Sequence, residues 1–141
     1  MPITEAHAGR SYPPTDPYVV SAAKIAEFAS ALGDDSAAYR GDSPIAPPTF
    51  VAVVTSAAWE QMFADPELEL ALRRIVHGDQ RFTYVRPLRP GDVITATLTI
   101  DKVRVRAGSE IISASLAVQT VDAEPICTAK ATFFHAREVA A

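Results

Sequence analysis

Apolar positions along this chain change their spacing once, near Ile75, and the change divides it into a helical half and a sheet half. Between Ser21 and Gly33, residues Ile25, Phe28, Ala29 and Leu32 recur at i, i+3, i+4 and i+7. That spacing predicts an amphipathic helix of about three turns over Ala22 to Leu32. Ser21 stands where it can cap the first amides, and Gly33 where it can end the last turn. A second helix is predicted over Phe50 to Phe63, "FVAVVTSAAWEQMF", with Thr49 as its cap. Its first two turns are apolar nearly all round, as in a helix surrounded by protein on most sides. The charged "ADPELELALRR" that follows reads as a further short helix at the surface. From Ile75 on, "RFTYVRPL", "GDVITATLTIDKVRVRA", "SEIISASLAVQTVD" and "EPICTAKATFFHA" alternate apolar and polar residues, many of them β-branched. Four strands are expected, arranged as an antiparallel meander, with turns at Pro87, "RPGD", "RAGS" and "VDAEP". Upstream, "GRSYPPTDPYVV" holds three prolines and must run extended or turning, and Tyr18, Val19 and Val20 read as a short strand.

A strand, a helix, a loop, an apolar helix and then long strands pack most directly if a curved antiparallel sheet wraps the apolar helix. The expectation is one α+β domain over residues 1–141. A sheet of this size leaves strand edges and a helix flank uncovered, so association with a second chain is also expected.

Composition narrows the function classes. At 141 residues with 48% apolar and 21% charged side chains, the chain is globular. A net charge of -4 and a pI near 5.3 offer no surface for nucleic acid. The single cysteine, Cys127, excludes an internal disulfide, and one thiol with three histidines is poor material for a metal cage. No metal or cofactor is expected. No apolar run approaches the roughly 18 residues of a membrane span, and "MPITEAHAGR" lacks the basic-then-apolar order of a secretion signal. These features give a cytoplasmic location as the expectation.

Several polar residues could carry chemistry, each with a plainer alternative. Asp34 and Asp35 follow a helix end, as a catalytic acid or as a solvated turn. His77, with Asp79 two residues on, could form a proton-transfer pair, reach into a partner's site, or be an inert histidine at a strand start. Lys102, Arg104 and Arg106 alternate with valines, as a solvated sheet face or as a landing patch for phosphates or an acidic carrier. Arg86 and Arg89 around Pro87 read either way, and Cys127 reads as a small buried hydrophobe.

"GRSYPP", "IAEFASALGD", "IAPPTF" and "VHGDQRFTYVRPLRPGD", taken with the final strands, resemble the MaoC-like hot-dog hydratases and dehydratases. The likeness spans nearly the whole chain and is greatest to the dehydratase-N, or FAS1-like dehydratase, branch. Within it the chain is similar to the non-catalytic subunits of actinobacterial (3R)-hydroxyacyl-ACP dehydratases. The resemblance implies a hot-dog fold, an acyl-CoA or acyl-ACP ligand, and a homodimer or a heterodimer with a catalytic MaoC-like subunit. In that family an aspartate and a histidine five positions later move the protons, and a glycine amide at the start of the buried helix stabilises the thioester oxygen. The aspartate falls on Asp34, but the histidine position falls on Tyr39, whose phenol has an ordinary pKa near 10 against about 6.5 for imidazole. The helix-start positions fall on Pro47 and Pro48, and proline has no N–H to donate. Losing one such donor alone costs on the order of 100-fold in comparable sites.

Asp34, Tyr39, His77 and Asp79 are therefore the candidate catalytic positions, and Pro48, Thr49, Phe50, Arg86 and Arg104 the candidate substrate-binding ones. The expected role is an acyl-thioester-binding accessory subunit. The alternatives are a self-sufficient homodimeric hydratase using His77 with Asp34 or Asp79, a non-enzymatic acyl-thioester binding protein, or a thioesterase.

Overall fold

The computed structural model describes residues 2–137. Strand β1 (Tyr18–Val19) leads into helix α1 (Ala22–Ala31), helix α2 (Ala52–Phe63) follows a long loop, and β2 (Ile75–Tyr84), β3 (Val93–Arg106), β4 (Ser109–Thr120) and β5 (Pro125–Ala136) complete the chain. The five strands form one antiparallel sheet in the order β1-β3-β4-β5-β2.

Both ends of α1 follow the local chemistry. Ser21 accepts a hydrogen bond from the Lys24 amide at 3.1 Å. At the far end Gly33 takes φ +72° and its amide reaches the Ser30 carbonyl, while the Asp34 amide reaches that of Ala29. A left-handed residue here satisfies two carbonyls that the helix leaves open, and glycine adopts it without a Cβ penalty. Helix α2 starts differently from expectation. Thr49 does not cap it; the regular helix begins at Ala52, after Val51, with no side-chain cap. Pro47 accepts from the Phe50 amide and Thr49 from the Ala52 amide, so the chain winds in through tight i→i+3 turns.

The sheet differs from a simple meander in one respect. β3, β4 and β5 are consecutive neighbours, but β2 lies beside β5 rather than β3. It also begins at Ile75, earlier than the "RFTYVRPL" segment. "ADPELELALRR" forms turns and one short 3-10 segment, Leu72–Arg74, instead of a surface helix.

Alternate residues of β3, β4 and β5 point inward and are buried: Ile94, Ala96, Leu98 and Ile100, then Ile112, Ala114, Leu116 and Val118, then Ala129, Ala131 and Phe133. Against them pack Val54, Ala58, Trp59 and Met62 of α2, with Phe50 just ahead of it. Each large side chain so buried contributes about 1.5–3 kcal/mol. The opposite flank of α2, at Ala52, Ser56, Ala57 and Glu60, is exposed in the single chain.

The two sheet edges are treated differently. Along β3, beside β1, the proline-rich segment runs as an irregular sixth strand. Its Tyr12 and Thr15 amides bond Leu98 and Ala96 carbonyls, and the Thr15 hydroxyl accepts from the Ala96 amide at 2.9 Å. The opposite edge, β2, carries no such cover among the described residues, and most of its residues are exposed.

A buried polar cluster fastens the α2–β2 connection to the last strand. The Ala71 amide donates to His135 Nε2 at 3.0 Å, so the ring hydrogen sits on Nδ1 and reaches Glu110 at 3.1 Å. Arg137 closes the other side of the Glu110 carboxylate at 2.6 Å and donates to the Glu69 carbonyl at 2.8 Å. His135 and Glu110 are almost fully buried, and each finds its partner within the chain.

Candidate functional site

Two clefts flank the start of α2. The first, about 340 Å³, is lined by Tyr39, Ile45, Ala46, Pro48, Tyr84, Val85, Arg86 and Pro87. Apart from the Arg86 head group and the two phenols, these side chains are apolar. The second, also about 340 Å³, lies between α2 and the inner face of β2 and is lined by Thr49, Ala52, Thr55, Ser56, Trp59, His77, Gln80 and Phe82. Phe82 and Tyr84 sit side by side on β2 with ring centroids 6.4 Å apart, so the two clefts meet along one strand.

Tyr39 comes to the first cleft on a short 3-10 turn, Ala37–Tyr39, capped by the Ser36 hydroxyl. Asp34 is not among the cleft residues. Its carboxylate accepts from the Ser36 amide at 3.0 Å, and Arg40 packs over the turn, bonding the Asp34 and Ser36 carbonyls. The carboxylate therefore serves the loop, and Asp34 and Tyr39 do not converge as a proton-transfer pair. Pro48 does line the cleft, and its carbonyl accepts a hydrogen bond from the Tyr84 hydroxyl. Burial pushes the Tyr84 phenol above its ordinary value, and neighbouring Cys127 adds to this. Tyr84 thus remains a donor at neutral pH. Burial likewise pushes the Cys127 thiol up to about 11, so it stays protonated and poorly nucleophilic.

Tyr84 was not among the sequence candidates. It is the inner-facing position of β2 next to Phe82, and only the fold brings it against Pro48.

Three of the residues expected to bind substrate are placed as follows. All five N–H groups of Arg86 are engaged within the chain: two on Asp92 at 2.9 Å each, two on Glu124 at 2.7 and 3.2 Å, and one on the Pro87 carbonyl at 3.0 Å. Its head group has no donor left for a phosphate, and Arg86 meets the cleft as a wall. Phe50 is fully buried, with Phe28 and Tyr18 rings edge-on at 5.5 and 6.5 Å, and belongs to the core. Arg104 pairs with Ile111 on the outer face, whereas the Tyr84 cleft adjoins Cys127 at the far end of the sheet. Thr49 is exposed and lines the second cleft.

His77 and Asp79 are separated by a bulge. His77 pairs with Phe133 and Asp79 with Thr132, leaving Gly78 over. An extra residue reverses the alternation of side chains. His77 consequently faces inward, its ring 4.7 Å from that of Phe133, while Asp79 faces outward into a polar hollow with Arg81, Asp101 and Lys130. A Cβ at Gly78 would lie 2.3 Å from the Phe134 ring, so a side chain there would push that ring aside. Spacing alone put the imidazole and the carboxylate on one face; the bulge puts them on two.

Among the described residues, no cluster of histidine, cysteine, aspartate or glutamate could hold a metal ion, and no helix is long and apolar enough to cross a membrane.

Comparison with known proteins matches this arrangement to one family. Residues 6–129 match the FAS1-like dehydratase domain region. The UPF0336 protein PPA1896 of Cutibacterium acnes is 50% identical over 97% of this chain and 96% of its own length. Among solved structures, a chain of the C-terminally truncated HadBC (3R-hydroxyacyl-ACP dehydratase) complex of Mycobacterium tuberculosis superposes with a TM-score of 0.79 at 26% identity, covering 91% of this chain and 96% of that one. A MaoC-like dehydratase superposes with a TM-score of 0.82 at 22% identity, over 94% of this chain but only 43% of that one. The curled five-stranded sheet around α2 is the hot-dog fold, and the chain belongs to the FAS1-like dehydratase domain region family.

Proposed function

We propose that this chain is an acyl-thioester-binding subunit that does not itself supply the catalytic pair. It works beside a second hot-dog chain bearing an aspartate and a histidine, and together they form a (3R)-hydroxyacyl-thioester dehydratase or enoyl-thioester hydratase. The observation that carries the reading is the start of α2. Dehydration needs a base for the C2 proton, an acid for the departing C3 hydroxyl, and hydrogen-bond donors on the thioester oxygen while negative charge gathers there. Pro47 and Pro48 have no N–H to aim at that oxygen, and the nearby Tyr84 hydroxyl is spent on the Pro48 carbonyl. The position that family resemblance assigns to the proton-carrying imidazole holds the Tyr39 phenol.

What remains suits binding. The cleft beside Tyr39 offers apolar walls from Ile45, Ala46, Pro48, Val85 and Pro87, which match an acyl chain better than a polar ligand. The likeness to a chain of a two-subunit dehydratase complex supports the partnership. In the joint enzyme the partner's residues would shuttle the protons, while this chain walls the acyl tunnel and sets the length it accepts.

The test is to purify the chain alone, titrate it with a saturated acyl thioester, and assay hydration of a crotonyl thioester. The reading predicts binding without turnover. Hydration by the lone chain at about 1 per second or faster, an ordinary enzyme rate, would refute it.

A further inference from the structure

One extra residue in β3 turns a row of cations outward. Ile100 pairs with Ala114 and Lys102 with Ser113, which leaves Asp101 over as a bulge. The bulge reverses the alternation of side chains. Val103 is therefore buried, while Lys102, Arg104 and Arg106 stand exposed on the outer face. Lys130 of β5 and Arg81 of β2 lie on the same face, directly opposite each other, and like charges facing across a ladder are destabilising. None of these five cations makes an ion pair among the described residues. The carboxylates beside them are Asp79 and Asp101, and Asp101 already accepts from the Ser115 hydroxyl at 3.0 Å. The chain as a whole is acidic, with 13 Lys and Arg against 17 Asp and Glu, so this face has the opposite sign to the rest of the molecule. An apolar row adjoins the cations. Arg104 pairs with Ile111, Ile111 with Phe134, and Phe134 with Val76. Phe134 is 44% exposed and Val76 64%.

We propose that the outer face of the sheet docks an acidic amphipathic helix on the surface of a partner protein. The helix lies along β4, with its carboxylates on the Lys102, Arg104 and Arg106 row and its apolar side on Phe134 and Val76. The spacings agree. Side chains two residues apart on a strand stand about 6.7 Å apart, and carboxylates four residues apart on a helix about 6 Å apart. Three successive pairs therefore stay in step within the reach of a Lys or Arg side chain. Neighbouring strands are about 4.8 Å apart, so the β3 and β5 rows are separated by about 10 Å, close to the diameter of a helix. Between them β4 offers a low floor of Ser109, Ile111 and Ser113. A nucleic acid would answer the cations but leave the apolar row bare. A flat bilayer would touch the convex side of a curled sheet along one line only. This inference stands apart from the acyl-thioester reading, because it concerns the side of the sheet turned away from α2 and both clefts.

Charge reversal tests it. The probe is a labelled helical peptide with glutamates at every fourth position and leucines on the adjoining face, followed by fluorescence anisotropy. Wild type should bind it, with affinity falling as salt is raised. Exposed ion pairs are individually weak, so Arg104→Glu should weaken binding about three-fold, and the triple variant K102E/R104E/R106E about ten-fold or more. Lys24→Glu on α1 makes the same change in net charge as Arg104→Glu and should leave affinity unmoved. Phe134→Ala should weaken binding at every salt concentration. The triple variant should in turn bind the peptide rebuilt with lysines in place of glutamates. Circular dichroism should show all variants folded, as the replaced side chains are exposed. A wild type that ignores the peptide, a scrambled peptide of the same composition bound equally well, or a triple variant indifferent to the lysine peptide would overturn the proposal. So would tighter binding to phosphatidylserine vesicles or to a DNA oligonucleotide than to the peptide. None of these outcomes bears on whether the lone chain hydrates enoyl thioesters.

Discussion

Replacing Arg86 by alanine separates a structural arginine from a ligand-binding one. Arg86 ties three places together: the end of β2, the Asp92 turn before β3, and Glu124 before β5. The two bonds to Asp92, at 2.9 Å each, form a parallel fork, and the Asp92 side chain is only 15% exposed. Hydrogen bonds to charged groups contribute about 1.5–3 kcal/mol net. The fork is shielded but not fully buried, and the Arg89 amide still holds Asp92 at 2.8 Å after the change. Together these give a loss of about 2–3 kcal/mol. Glu124 is half exposed, and its share is discounted for solvent screening. At about 3 °C per kcal/mol for a chain of this size, Tm should fall by about 6–9 °C.

The pH dependence has a definite sign. Hydrogen bonding to Arg86 holds the Asp92 carboxyl below the ordinary carboxylate range, against the opposing effect of burial. A carboxyl whose pKa is lower folded than unfolded contributes stability that is complete above about pH 4 and is lost as pH falls toward its folded value. The stability gap between wild type and Arg86→Ala should therefore be full at pH 7 and shrink below about pH 4. Calorimetry across that range, with Asp92→Asn closing a double-mutant cycle, is the assay. If Arg86→Ala left Tm unmoved but weakened acyl-thioester binding ten-fold, the reasoning would be wrong and Arg86 would be a ligand group.

Three further substitutions probe other parts of the fold. Gly78→Ala drives a methyl against the Phe134 ring and should cost about 1–3 kcal/mol in urea unfolding, with most of the loss removed in a Phe134→Ala background. Tyr84→Phe removes the donor on the Pro48 carbonyl and should cost about 1 kcal/mol, again by urea unfolding. His135→Leu strips a partner from buried Glu110 and leaves the Ala71 amide without its acceptor. The expected cost is about 2–4 kcal/mol, and acyl-thioester affinity should be unchanged, since the cluster lies at the opposite end of β5 from the Tyr84 cleft.

What could be read along the chain was what neighbouring residues decide. Ser21 and Gly33 cap α1 through bonds to residues three to five positions away, and the β3, β4 and β5 alternation follows from one buried face. The pairing of β2 with β5 joins residues far apart in the chain, from Tyr84 with Cys127 at one end to Ile75 with His135 at the other, and no local pattern encodes that choice. The start of α2 was misjudged by two residues because Thr49 resembles a cap, while the prolines before it impose tighter turns. At the site, Tyr39 and Pro48 were identified and do share a cleft. Arg86 looked available because its carboxylate partners, Asp92 and Glu124, come from other turns. The bulge at Gly78 puts His77 and Asp79 on opposite faces, a shift that a period-two reading does not register.

The most direct measurement is kinetic and uses the proposed two-subunit enzyme. Reconstitute this chain with a hot-dog partner that carries an intact aspartate–histidine pair, then replace either the partner's histidine or His77 of this chain and measure hydration of an enoyl thioester. The account predicts that activity disappears with the partner's imidazole and survives His77→Ala. Loss of turnover on changing His77, with the partner's imidazole dispensable, would contradict it.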